Sequence, residues 1–114
     1  MRFPVLLLLV AGCASGPQPE AIKLPPGFSI GVYADNVPLA RSLALGAKGT
    51  LFVGGKETDV YAVPPGGGKA IRIATGLQEP HGVAFRDGAL YVAERSRILR
   101  YDGIEERLAS PPAP

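Results

Sequence analysis

The sequence predicts an all-β protein built from short strands, and three observations carry that prediction. Of 114 residues, 15 are Gly and 12 are Pro. They are interleaved with Val, Leu, Ile and Tyr, a composition of turns and short strands rather than long helices. The stretch Pro80 to Arg95 reads as strand, tight turn, strand, with Arg86-Asp87-Gly88 as the turn: Asp tolerates the left-handed region and Gly supplies positive φ. The same pattern occurs earlier. Arg41 to Leu45 matches His81 to Phe85, Leu51-Phe52-Val53 matches Leu90-Tyr91-Val92, and Val60 to Val63 matches Ile98 to Tyr101. A repeat of about 40 residues with four short strands per unit is the signature of a β-propeller blade. The expected fold is therefore a partial β-propeller of about two blades, each a four-stranded antiparallel meander.

The N-terminus reads as a targeting segment. Met1 to Pro4 carries one positive charge, and Val5 to Val10 is apolar but too short to span a bilayer. Val10-Ala11-Gly12-Cys13 resembles a bacterial lipoprotein box, in which the Cys becomes the lipidated first residue. The expected organisation is a signal peptide over 1–12, a flexible tether over 13–21 and an incomplete propeller domain over 22–114. The alternative is an ordinary signal peptide cut near Ala14 or Ser15, with Cys13 discarded. Lipidation would tether the protein to a membrane through acyl chains, on the periplasmic side of a bacterial envelope.

Phe28 to Ala34 alternates well enough for a strand, in the position from which an N-terminal strand completes the last blade of a closed ring. Blade one is expected as Arg41–Leu45, Leu51–Gly54, Asp59–Val63 and Ala70–Thr75. Pro64-Pro65-Gly66-Gly67-Gly68 is a hairpin loop: it lacks the Lys-Ser/Thr ending and following helix of a phosphate loop. Blade two is expected as Gly82–Phe85, Ala89–Ala93 and Arg97–Tyr101, with a fourth strand weak or absent over Ile104 to Leu108. Neither strand of its hairpin has a polar side, so each face is expected to pack against something. A ring closes only with about four to eight blades. The chain is therefore read as a fragment of a longer protein, or as one whose copies must assemble, since open faces and edges invite pairing.

In a meander, alternate loops fall at the same end. One end gathers Asn36 to Ala40, Lys56-Glu57-Thr58, Gln78 to His81 and Glu94-Arg95-Ser96, and any site is expected there. His81, the only His, is the candidate general base or ligand orienter; its alternative is a loop His at a strand start. Arg41 and Arg95 are candidates for binding an anionic cofactor or acidic substrate, against structural pairing with Glu57, Glu79 or Glu94. One His and one Cys cannot make a zinc site, the acidic spacing fits no EF-hand, and Ser42 and Ser96 lack a nucleophile elbow. A net charge of +2 with scattered basic residues offers no nucleic-acid footprint.

Ile22 to Phe28, Ala40 to Gly46, Gly49 to Gly54 and Gly82 to Glu94 resemble the N-terminal part of sorbosone dehydrogenase-like proteins of the soluble glucose/sorbosone dehydrogenase family. The resemblance covers nearly all of 22–110, mostly through scaffold residues. It implies a six-bladed propeller, often exported, that uses pyrroloquinoline quinone with calcium to oxidise a sugar or aldehyde by hydride transfer. It places the family's catalytic His and most quinone and calcium contacts in later blades, so the catalytic role is not transferred to His81. The alternative classes are a non-catalytic envelope binding module and a lactonase-like propeller hydrolase. The lipidation reading yields a direct test. A Cys13→Ser protein is expected to leave the membrane fraction, and fractionation unchanged from the parent would refute acylation.

Overall fold

The computed structural model describes residue 16 and residues 18–114. Cys13 and the targeting segment lie outside the described residues. The chain divides into two units, Met1–Val32 and Tyr33–Pro114. In the first, a 3₁₀ turn spans Pro19–Ala21, and the Phe28 amide closes a turn onto the Pro25 carbonyl at 3.2 Å.

The second unit is all-β. Strands β1 (Ala40–Leu45), β2 (Leu51–Gly55), β3 (Val60–Val63) and β4 (Ile71–Ala74) form one antiparallel sheet in sequence order. Strands β5 (Gly82–Arg86), β6 (Ala89–Ala93) and β7 (Ile98–Asp102) form another. The repeat is thus real at the level of topology. The β5–β6 turn narrows to Asp87-Gly88, with Arg86 paired to Ala89. Both turn residues have positive φ, 48° and 80°, as a two-residue type I′ turn requires. The Pro64–Gly68 stretch is a hairpin loop: Gly67 N–H bonds Pro64 O at 3.0 Å. Gly67 has φ +88°, and a Cβ there would lie 2.6 Å from Tyr33 O.

The core lies between the two sheets. Phe52, Val60, Ala62 and Ile73 of the first meet Leu90, Val92 and Tyr101 of the second. The Phe52 and Phe85 rings stack at 5.6 Å between centroids, and β1 runs beside β5. Alternation explains the division: Val83 pairs with Val92 and Phe85 with Leu90, placing all four on one face. A second cluster, Val53, Tyr61, Val63 and Ala70, lies on the far face of the first sheet under Ala34 and Val37. There the Asn36 side chain mimics a strand, accepting from Ala70 N at 2.9 Å and donating to Ala70 O at 3.3 Å.

Two expectations are corrected. Phe28 to Ala34 is not a strand. Alternation supplies a face, but a strand also needs a neighbour for its N–H and C=O groups, and neither sheet supplies one. Only one face of the β5–β6 hairpin is covered. The other leaves Ala84 exposed and Ile98 72% exposed. The fourth strand expected to be weak or absent over Ile104 to Leu108 is absent: Ile104–Glu106 is a 3₁₀ turn that drives Ile104 fully into the core. It has the apolar anchor of a strand without the alternation.

Core and free face should respond differently to truncation. Phe52→Ala is expected to cost about 3–5 kcal/mol. Leu43→Ala, whose side chain is 63% exposed, is expected to cost less than about 0.5 kcal/mol. Urea midpoints at matched concentration make the comparison.

Candidate functional site

Alternate loops do gather at one end. Lys56 N–H bonds Leu39 O at 2.9 Å, Leu77 N–H bonds Thr58 O at 3.0 Å, and Glu79 N–H bonds Glu57 O at 2.8 Å. Arg95 N–H bonds Gln78 O at 3.0 Å. The linker Thr75 to His81 is therefore pinned on both sides, to the β2–β3 loop and to the β6–β7 loop.

His81 sits where this linker enters β5. Its N–H bonds Glu79 O at 2.7 Å, and its carbonyl accepts from the Ser42 hydroxyl. Its Nε2 lies 3.1 Å from the Lys56 carbonyl oxygen. A carbonyl only accepts, so Nε2 is the donor in this contact. A Cβ on Gly54 would lie 2.7 Å from Pro80 O and 2.8 Å from His81 O. Gly54 thus lets the linker lie directly on the first sheet.

Arg95 is engaged. Its guanidinium reaches Glu79 at 2.7 Å, which is the structural pairing foreseen as its alternative. Arg95's hydrogen bond, and then its charge, hold the Glu79 carboxyl below the usual range. Arg41 is the extra residue of a β-bulge, between the pairs Ala40–Gly55 and Ser42–Gly54. It is exposed, and among the described residues it has no acidic partner. The structure therefore brings His81 and Arg95 together around Glu79, with Arg41 beside Ser42 at the same end. Glu94 is not an arginine partner of the expected kind. It accepts from Gln78 N at 2.7 Å and from Arg97, and these contacts hold its carboxyl low.

Beside these residues lies an open cleft of about 250 Å³, bordered by Leu39, Lys56, Glu57, Asp59 and Tyr61. Asp59 organises its wall. It accepts from Thr75 Oγ1 at 2.6 Å, Thr58 Oγ1 at 2.9 Å and the Tyr61 hydroxyl at 3.2 Å, and Arg72 lies 3.7 Å away. The Thr75 hydroxyl is the foremost cause holding its carboxyl below the ordinary 3.8. Burial chiefly pushes Tyr61 up. A carboxylate so fully engaged positions neighbours rather than moving protons. The sequence reading passed over Asp59. The only signal for it was a Thr-Asp pair opening a strand.

No family model, curated protein or solved structure matches this chain. Among the described residues no group of three or more His, Cys, Asp or Glu side chains could hold a metal ion, and no helix is long and apolar enough to cross a membrane. What the end of the sheets offers chemically is the His81 imidazole, the Arg41 guanidinium, which has no acidic partner among the described residues, and a polar cleft.

Asp59 gives a signed pH prediction. Its folded pKa is depressed, so its stabilisation is fully present above the unfolded value of 3.8 and is lost as pH falls through the lower folded value. Asp59→Asn is expected to be less stable than the parent by about 1 kcal/mol at neutral pH. The gap should close below pH 4, on a urea-midpoint series against pH.

Proposed function

We propose that the two sheets are consecutive blades of a β-propeller, and that the chain is the N-terminal scaffold sector of a quinone-dependent sugar or aldehyde dehydrogenase-like oxidoreductase. The protein is exported to a bacterial envelope and anchored through Cys13. The observation that carries the reading is the stacking of two like meanders, face to face, with their first strands β1 and β5 side by side. Strands that fan outward from adjacent first strands are what a propeller axis demands. The sequence resemblance supplies the chemical class.

The described residues do not fit the quinone or calcium by themselves. Arg95 is neutralised by Glu79, and no carboxylate cluster is present among them. When bound elsewhere in such a ring, the quinone supplies a hydride acceptor. This chain's residues hold the loops: Glu79 and Glu94 tie the linker to the β6–β7 loop, and Gly54 seats it on the first sheet.

A second reading, a binding module without turnover, is favoured by the cleft beside Lys56 and Glu57. Both side chains are exposed and without polar partners among the described residues. A dye-linked assay separates the two. In the reading frame that carries residues 1–114, dye reduction requiring both pyrroloquinoline quinone and calcium is the expected result. The 114-residue chain alone is expected to show none. Quinone-independent hydrolysis, or saturable sugar binding without turnover, would overturn the first reading.

A further inference from the structure

The two sheets repeat more than their strands. Leu39 and Glu79 occupy equivalent positions ahead of β1 and β5, and both have positive φ, 55° and 51°. The Lys56 amide bonds Leu39 O, and the Arg95 amide bonds Gln78 O, one residue ahead of Leu39's counterpart. Ala34 and Val37 pack on the outer cluster of the first sheet, as Ala74 and Leu77 pack on the cluster between the sheets. Residues 33–40 thus repeat residues 73–80. By the same correspondence Gly31 to Ala34 are the counterparts of strand β4, Ile71–Ala74. Among the described residues they join no sheet, and β7 pairs only with β6, leaving its other edge without a strand.

The free faces match in the same way. Phe85, stacked on Phe52 across the covered interface, has Leu45 as its counterpart in the first sheet, and Val83 has Leu43. Both leucines are free, at 68% and 63% exposure. The counterpart of Phe52 is Tyr91. It borders an open apolar depression of about 250 Å³ with Gly82, Ala84, Ala93 and Ile98 on the far face of the second sheet. One face therefore carries the projections of the covered interface, and the other carries its receptor.

We propose that, where no later blade of the same ring covers this face, a second copy of this chain docks head to tail on it, with Leu43 and Leu45 of one copy seated against Tyr91 of the next. Gly31 to Ala34 of the incoming copy add to β7 as its fourth strand. The β3–β4 register pairs Val60 with Ala74, Tyr61 with Arg72 and Ala62 with Ile71. It sets the new one: Ile98 opposite Ala34, Leu99 opposite Val32, Arg100 opposite Gly31. The contact is heterologous, so copies add until a ring closes. At about four to eight sheets per ring and two sheets per chain, that is about two to four copies. The inference rests on the blade reading, but its test uses neither quinone nor turnover, so the two can fail separately.

The test uses the Cys13→Ser chain, which leaves no native thiol. Gly31→Cys and Arg100→Cys are made in separate chains and mixed under mild oxidation. Gly31 has open space around its Cα, and Arg100 is exposed. A mixed disulfide dimer is expected from this pair and not from Gly31→Cys with Tyr91→Cys. Sedimentation velocity of the parent is expected to show a closed multimer, lost in Leu45→Asp and in Leu43→Asp with unchanged circular dichroism. A monomeric parent overturns the proposal, as does equal cross-linking of both pairs. So does a multimer that survives both aspartate variants, because association would then run through another surface.

Discussion

Everything in this molecule depends on burying one face of each meander against the other. Phe52, Leu90, Val60 and Val92 are fully enclosed, and the Phe52–Phe85 stack sits at the seam between β1–β2 and β5–β6. A three- or four-stranded sheet with one wet face has little apolar area to spare at this size. Each sheet is therefore the other's core. The arrangement is asymmetric in a useful way: large side chains of the second sheet close over a surface that the first keeps open with Ala44 and Ala62.

Backbone groups outside the ladders need partners too, and carboxylates supply several of them. At one end Glu94, its side chain 2% exposed, accepts the Gln78 amide and holds the blade-to-blade linker. At the other, Glu105 reaches from the 3₁₀ turn after β7 to the β1–β2 hairpin, accepting from Lys48 N at 3.0 Å and Thr50 N at 3.4 Å. Charge-assisted bonds to backbone amides are among the stronger kinds. These two lie at opposite ends of the same sheet pair, so the sheets are fastened at both rims as well as glued at the centre. The fastening explains why His81 is held by three backbone or hydroxyl contacts rather than left to sample the cleft.

Much of this was legible in the chain. Ala89–Ala93 is a strand over the expected bounds, and the other six strands fall within two residues of theirs at either end, because alternating β-branched and aromatic residues between Gly-rich turns are a local signal. The grouping of loops at one end followed from meander geometry alone. Arg95 pairs with Glu79, one of the three carboxylates weighed as its partner, whereas Arg41 meets none of them among the described residues and Glu94 takes Arg97 and a backbone amide instead. Gly54 closes an expected strand and carries no special local signal. That Gly54 must lie beneath Pro80 and His81 depends on residues about 25 positions away, and no local pattern reports it.

The chain by itself determined the strands, their order within each unit and the existence of two like units, since these follow from propensity, turn chemistry and short-range antiparallel pairing. Only the tertiary structure decided which faces are covered, which carboxylate meets which donor, and that Phe28 to Ala34 joins neither sheet. Those outcomes turn on contacts between segments distant in sequence. A residue's pattern states which side of a strand it occupies, and what stands opposite that side is settled by the packing of the whole.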